Sequence, residues 1–150
     1  EKAHIEHILR KHNTAPIFYT KIGYDHPRNK QGEVLTEKLE GKDILLFCGI
    51  ANPKPLVEFL EKNRNIVHLV KYPDHHNFTS SDFDNIKAKF DFIQSSNKLI
   101  LTTEKDIQRI EDSAFQNYPL YYIPIHLQSA DHQQTTFDHF IENYISHNLN

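Results

Sequence analysis

The chain has 150 residues, of which 38% are hydrophobic and 25% charged, and a formal net charge of −3. This length suits one soluble globular domain with a single core, and the absence of a basic stripe excludes nucleic acid as the expected partner. No apolar run approaches the ~20 residues of a membrane span. The single cysteine, Cys48, excludes an internal disulfide, and its place in an apolar run predicts a packed core residue.

The amino terminus indicates a piece of a longer protein. The chain contains no methionine, and it starts at Glu1 within a predicted helix. The apolar residues of that helix, over residues 2–11, have helical spacing. We therefore expect the chain to be a fragment, and we expect its function to belong to a larger parent.

The next thirty residues predict two short strands. A strand is expected over residues 16–22, and a second strand or edge ribbon over residues 33–39, with a turn-rich connector between them. Gly41 then breaks the chain. We divide the chain accordingly into residues 1–41, a helix with an appended strand pair, and residues 42–150, an α/β lobe.

From residue 42 onward, predicted strands alternate with predicted helices. The strands are expected over residues 43–48, 66–70, 98–101 and 119–125. Helices are expected to begin at Pro53 or Pro55, at Thr79 and after Thr103, and a closing helix carries an apolar stripe on Phe137, Phe140, Ile141, Tyr144 and Ile145. Strands separated by such helices favour a mostly parallel sheet with helices on both faces, a Rossmann-like three-layer lobe.

The strongest candidate for chemistry is the segment Tyr-Pro-Asp-His-His-Asn-Phe, residues 72–78. It follows an apolar run, residues 66–70, which predicts a buried strand, and it precedes a helix start. In open α/β sheets, ligands bind beyond the carboxyl ends of the strands. Asp74 beside His75 and His76 can orient an imidazole ring and hold one tautomer. The alternative is a local hydrogen-bonded cap in which one histidine is packed.

A second turn of interest is Gly-Ile-Ala-Asn-Pro, residues 49–53, which follows the first strand of the lobe. A glycine turn before a helix presents backbone N–H groups to an anion. Gly49 and Asn52 are equally consistent with roles in the turn and its helix cap alone.

A third turn, Thr-Thr-Glu-Lys-Asp at residues 102–106, is expected at the same edge if the sheet is parallel. Lys105 could add a positive charge there, although most lysines of this kind are simply solvated. Thr103 and Asp106 fit a helix N-cap at least as well as a ligand contact.

Residues 48–53, 72–78 and 101–106 together resemble, in order and spacing, the carboxyl-terminal lobe of the tetraacyldisaccharide 4'-kinase family. These are the lipid A 4'-kinases of Gram-negative bacteria, and the resemblance covers residues 43–125 best. It implies a P-loop kinase of two lobes at the cytoplasmic face of the inner membrane. Such an enzyme transfers the γ-phosphate of ATP, bound with Mg²⁺, to the 4'-hydroxyl of an acylated glucosamine disaccharide 1-phosphate.

The resemblance also implies that this chain lacks parts of the kinase. The family's nucleotide loop, G-x-x-x-x-G-K-[ST], lies in the amino-terminal lobe, and no segment of this sequence matches it. ATP and Mg²⁺ are therefore expected to bind mainly to that lobe, which also carries the membrane contact and the catalytic aspartate. That lobe is the expected partner, residues 1–41 are the interlobe segment, and the chain alone is expected to be soluble and inactive.

The resemblance assigns a role to His75, because the family's histidine at this motif supports the catalytic aspartate of the other lobe. Asp74 is its neighbour and possible orienter. Such a histidine fixes the base carboxylate and tunes its pKa. Six further residues of the three turns are assigned to the substrate or nucleotide cleft, with no catalytic role carried over to His76 and no metal site: Gly49, Asn52, His76, Thr103, Lys105 and Asp106. Thr103 and Lys105 match the family's third motif either as nucleotide contacts or as residues that hold the lobe together.

Two other hypotheses stay open. The DHH phosphoesterases bind divalent metal at an aspartate-histidine-histidine loop, but they also need acids at an upstream strand end, where this chain has Cys48 and Gly49. The other is a non-catalytic α/β lobe that packs on a partner domain or binds an anion at residues 49–53. Metal content separates the phosphoesterase from the other two, and a phosphate-binding loop in the parent separates the kinase from an inert lobe.

Overall fold

A computed structural model of the chain describes residues 2–130 and 134–148; Glu1, predicted to lie in the first helix, is outside these residues. The helices are α1 (Lys2–Arg10), α2 (Lys54–Lys62), α3 (Ser80–Phe92), α4 (Glu104–Ile107) and α5 (Gln134–Asn148), and a 3-10 helix spans Asp112–Phe115. The strands are β1 (Thr20–Tyr24), β2 (Asp43–Cys48), β3 (Ile66–Lys71), β4 (Lys98–Thr103), β5 (Leu120–Ile123) and β6 (Ile125–Ser129). None of the helices in the described ranges has the length and apolarity that crossing a membrane requires.

The chain divides into two compact units. One comprises residues 24–125, and the other comprises the described parts of residues 1–23 and 126–150. These two units do not test the predicted division between residues 41 and 42, which stays a prediction.

The unit of residues 24–125 is built on a four-stranded parallel sheet with the strand order β3-β2-β4-β5. Successive side chains of a strand point to opposite faces, so the continuous apolar run of β2 supplies two cores. Ile44 and Leu46 pack on one face with apolar residues of α2. Leu45 and Phe47 pack on the other face with apolar residues of α3 and the 3-10 helix. The predicted parallel sheet with helices on both faces is therefore confirmed.

The strand that leads into the Asp74 loop is an edge strand, and the prediction of a buried strand there is wrong. Among the described residues β3 pairs with β2 alone. Ile66 remains 60% exposed and Leu69 43% exposed. Apolar content predicted burial, but the strand order leaves β3 with a neighbour on one side only.

The last predicted strand, residues 119–125, is in fact two strands that separate at Pro124. β5 belongs to the parallel sheet, whereas β6 pairs with β1 in a separate two-stranded sheet. Proline has no backbone N–H for a strand ladder, and it commonly marks such a break.

The predicted strand or ribbon at residues 33–39 does not form. Val34 makes an isolated bridge to Arg28, and the Leu35 side chain packs into the core at 9% exposure. The structure does contain a separate two-stranded sheet, but it differs from the predicted pair: β1 starts at Thr20 rather than at residue 16, and its partner is β6 from the far end of the chain.

The second unit is held in part by aromatic contacts. The ring of Phe18 lies 5.1 Å from the ring of Phe137 at an interplanar angle of 78°, and 5.7 Å from the ring of Phe140. Edge-to-face pairs of this kind are favourable. Helix α5 carries its predicted apolar stripe, but the stripe remains substantially exposed, with Tyr144 at 63%.

Candidate functional site

Three turns meet at the carboxyl edge of the parallel sheet. They follow β2, β3 and β4 and comprise residues 49–53, residues 72–79 and the step from Thr103 into α4. In the sequence, β3 comes between β2 and β4, but in the sheet β2 and β4 are neighbours. This reversal is a topological switch point, where open α/β sheets bind their ligands.

Asp106 joins the third turn to the first. Its side chain is fully buried, and Oδ2 accepts hydrogen bonds from Gly49 N at 2.9 Å and from Thr103 Oγ1 at 2.7 Å. Its other oxygen, Oδ1, is buried and has no hydrogen-bond partner in the described part of the chain. Because the Gly49 N–H already donates to a buried carboxylate, this arrangement disfavours an anion at that group.

Gly49 also lets the second turn approach closely. A Cβ atom at this position would lie 3.2 Å from Pro73 O and 3.3 Å from His76 Cβ. The Gly49 carbonyl accepts a hydrogen bond from the backbone N–H of His75 at 3.2 Å. The absence of a side chain at residue 49 therefore brings the histidine loop against the end of β2.

The carboxylate of Asp74 is held by two donors. Oδ1 accepts hydrogen bonds from Lys105 Nζ at 3.0 Å and from the backbone N–H of His75 at 3.0 Å. The hydrogen bond from Lys105 is the main cause that lowers the pKa of the Asp74 carboxyl below its usual value, and the nearby His75 ring contributes. Asp74 is therefore ionised at neutral pH and fixed to α4.

His75 presents its imidazole to solvent. Its side chain is 73% exposed, and Nε2 lies 3.7 Å from Asp74 Oδ2. Its backbone has φ of 60°, the left-handed region that non-glycine residues seldom adopt. Such conformations cluster at functional sites, where the surrounding structure maintains them. The ring is placed at the edge of the sheet and is accessible to a group from outside the unit.

His76 has the opposite environment. Its ring stacks on Tyr72, with centroids 4.6 Å apart at 22°, and its Nε2 lies 3.0 Å from Asp82 Oδ2. The edge of Phe78 lies against the same ring, 5.1 Å between centroids. The interpretation of a packed, hydrogen-bonded histidine is therefore confirmed for His76.

The other predicted cleft residues make local contacts. Thr103 caps α4, since its Oγ1 accepts a hydrogen bond from Asp106 N at 3.1 Å, which confirms the cap interpretation. Asn52 is exposed, and its Oδ1 accepts from Lys54 N at 3.2 Å within the turn. Contacts of these residues with a ligand stay predictions.

Two residues that hold the histidine loop were not predicted from the sequence. Asp82 accepts hydrogen bonds from Thr79 N at 2.8 Å and Thr79 Oγ1 at 2.7 Å and completes a capping box. The spacing of Thr79 and Asp82 carried that signal. Arg109 donates a hydrogen bond to the backbone carbonyl of His76 at 3.2 Å. The two residues are 33 positions apart, and no local sequence pattern predicts such a contact.

We expect Asp82→Ala to lower the free energy of unfolding of this chain by about 1–2 kcal/mol, since the cap of α3 and the partner of His76 are both lost. The Thr79 N–H and then His76 hold the pKa of Asp82 below its ordinary value of 3.8. This stabilisation is therefore present above pH 3.8 and is lost as the pH falls through the lowered pKa. Urea denaturation at neutral and acid pH measures both effects.

The matched control is Asp84→Ala on the same helix, where the side chain is 77% exposed. It is expected to change stability by less than about 0.5 kcal/mol. Equal losses in the two variants would contradict a specific role of Asp82.

The described residues contain no group of three His, Cys, Asp or Glu side chains placed to hold a metal ion. Cys48 is fully buried, as predicted, and burial together with the Asp106 charge raises the pKa of its thiol to about 11.

The fold and the site define a doubly wound α/β unit whose candidate site lies at the switch point. The family model for tetraacyldisaccharide-1-P 4'-kinase matches residues 2–146. A tetraacyldisaccharide 4'-kinase of Flavobacterium johnsoniae is 37% identical over 150 residues, which cover 99% of this chain and 42% of that protein. The corresponding protein of Bacteroides thetaiotaomicron is 33% identical over 120 residues, 77% of this chain and 32% of that protein. This chain belongs to the tetraacyldisaccharide 4'-kinase family.

A solved structure has a similar fold. It is LpxK from Aquifex aeolicus, described as an "apo" form in complex with ATP, and it matches with a TM-score of 0.53 at 14% identity. The match covers 87% of this chain and 37% of that chain. This chain thus spans well under half the length of the relatives named here. The predicted membership of this family is confirmed.

Proposed function

We propose that this chain forms the carboxyl-terminal part of a lipid A 4'-kinase and contributes the Asp74–His75 loop to its phosphoryl-transfer site. The observation that carries the proposal is an exposed imidazole, His75, at the carboxyl edge of the sheet, against the turn that follows β2. The chain that holds it matches the family over residues 2–146. The relatives named above are kinases by name, so the reaction class is that of an ATP-dependent phosphotransferase.

The geometry of the loop suits this chemistry. Phosphoryl transfer depends on positioning and charge stabilisation more than on covalent chemistry by the protein. An exposed histidine can donate a hydrogen bond to a carboxylate from a second lobe, and this bond orients the carboxylate as a base and adjusts its pKa. His75 is exposed for such a contact, whereas Asp74 Oδ2, at 3.7 Å from Nε2, lies behind it as an orienting charge.

The cofactors and the substrate follow from the same proposal. ATP and Mg²⁺ would be bound mainly by an amino-terminal P-loop lobe, because this sequence has no G-x-x-x-x-G-K-[ST] segment. The proposed acceptor is the 4'-hydroxyl of an acylated glucosamine disaccharide 1-phosphate at the cytoplasmic face of the inner membrane.

The test is a transfer assay on the full-length protein that contains this chain. Incubation with γ-labelled ATP, Mg²⁺ and the tetraacyldisaccharide 1-phosphate is expected to place the label at the 4'-position of the lipid. The 150-residue chain alone is the control and is expected to be inactive. Absence of transfer by the full-length protein would contradict the proposal, and metal-dependent phosphate release without transfer would favour the phosphoesterase.

A further inference from the structure

Helix α4 contacts both of the other turns through adjacent side chains. Asp106 accepts the Gly49 N–H, and Lys105 donates to Asp74 Oδ1 at 3.0 Å. The helix has only four residues, and Thr103 caps its start. The side chains of residues 105 and 106 are therefore positioned by one short, capped element at the switch point.

Lys105 contacts the histidine loop through a partly exposed ion pair with Asp74. The side chains of Lys105 and Asp74 are 40% and 41% exposed, and exposed ion pairs of this kind contribute little to global stability. The same oxygen of Asp74 also accepts the backbone N–H of His75, whose backbone is in the left-handed region. The ammonium of Lys105 therefore holds Asp74, which in turn holds the backbone of His75. This position favours a local, geometric role for Lys105.

The pairing also bears on the alternative role for Lys105. A lysine that binds a nucleotide phosphate acts as a point charge. In this structure the charge of Lys105 is matched by an ionised carboxylate at hydrogen-bonding distance. Asp74 would compete with a phosphate for the same ammonium.

We propose that Lys105 is a positioning residue, which holds Asp74 and through it the imidazole of His75 at the carboxyl edge of the sheet, and that it is not a nucleotide ligand. The proposal rests on the proposed kinase function, and it adds the element that sets the geometry of the histidine loop. Lys105 reaches the reacting groups only through Asp74 and His75.

The first test is steady-state kinetics of the full-length protein. Lys105→Met is expected to lower kcat about 10- to 100-fold, the order of loss for a misplaced reacting group, with KM for ATP unchanged. Lys105→Arg is expected to recover most of kcat, because a guanidinium can donate to the same carboxylate. The matched control is Lys62→Met. Lys62 is exposed at the end of α2, remote from the turn at residues 49–53, and its substitution is expected to leave kcat unchanged.

The outcomes separate the alternatives. A raised KM for ATP with an unchanged kcat would overturn the proposal and make Lys105 a nucleotide ligand. If Lys105→Met and Lys105→Arg lowered kcat equally, and also lowered the melting temperature equally, the proposal would be overturned in favour of a purely structural role. Inactivity of the wild-type protein would instead contradict the proposed function.

A second measurement does not depend on activity. Carboxyl-carbon NMR of this chain follows the titration of Asp74, which faces Lys105 Nζ and the ring and backbone N–H of His75. Lys105→Met is expected to raise the pKa of Asp74 toward its ordinary value of 3.8, whereas Lys62→Met is not. An unchanged pKa in Lys105→Met would show that the pair does not form in solution and would overturn the proposal.

Discussion

His75→Ala is expected to lower kcat for 4'-phosphorylation by about 100-fold or more in the full-length protein, with the fold retained. The side chain is 73% exposed, so its removal leaves no cavity. Under the proposed function, the loss arises because a base carboxylate of the other lobe would no longer be oriented by the imidazole. Transfer kinetics measure the loss of kcat, and circular dichroism with thermal unfolding checks that the fold is retained.

Two matched variants sharpen the result. His75→Asn tolerates the left-handed backbone at residue 75 better than alanine does, so it removes the imidazole with less backbone cost, and it is expected to be equally impaired. His76→Ala is expected to do the opposite: it lowers mainly the free energy of unfolding and affects kcat less. The reason is that the ring of His76 stacks on Tyr72 and pairs with Asp82. Near-normal activity of His75→Ala would make the loop structural and would contradict the proposed role.

Asp106→Ala is expected to produce the largest loss of stability, about 2–4 kcal/mol in the free energy of unfolding. The variant leaves the Gly49 N–H and the Thr103 hydroxyl without their acceptor in a buried region. Hydrogen bonds to a charged group contribute about 1.5–3 kcal/mol each, and an unsatisfied buried donor adds a desolvation cost. Urea denaturation of the 150-residue chain is the measurement.

Asp106→Asn is the conservative comparison, because it keeps the shape of the side chain and one acceptor oxygen, and an intermediate loss is expected. Asp112→Ala, a carboxylate with 78% side-chain exposure and a surface ion pair to Lys30, is the surface control and is expected to cost no more than about 1 kcal/mol. A loss at Asp106 no larger than at Asp112 would contradict the tie between the first and third turns.

The helices around the site were predictable because their signals are local. The Thr79 and Thr103 caps, and the spacing of Ile86 and Phe90 on one face of α3, are encoded within a few residues of each element. The failures concern strands, whose partners are remote in the sequence. Residues 33–39 have a weak strand pattern but no ladder, and β1 pairs instead with β6, about one hundred residues away.

The candidate site shows the same division. The order of the three turns and their placement at one edge follow from alternating strands and helices in a parallel sheet. Whether His75 or His76 is exposed does not follow, because the two share one sequence environment and differ only in what packs against them. Tyr72 and Asp82 hold His76, while a left-handed backbone turns His75 outward.

The sequence by itself determined the parallel three-layer architecture, the helix caps and the family, because periodicity, capping and motif order are local or linear properties. The tertiary structure alone decided that β3 is an edge strand, that Asp106 is fully buried beneath Gly49 and that Lys105 pairs with Asp74. The last two contacts join residues 57 and 31 positions apart. They exist because the strand order sets β2 beside both β3 and β4, a pairing that no local pattern specifies.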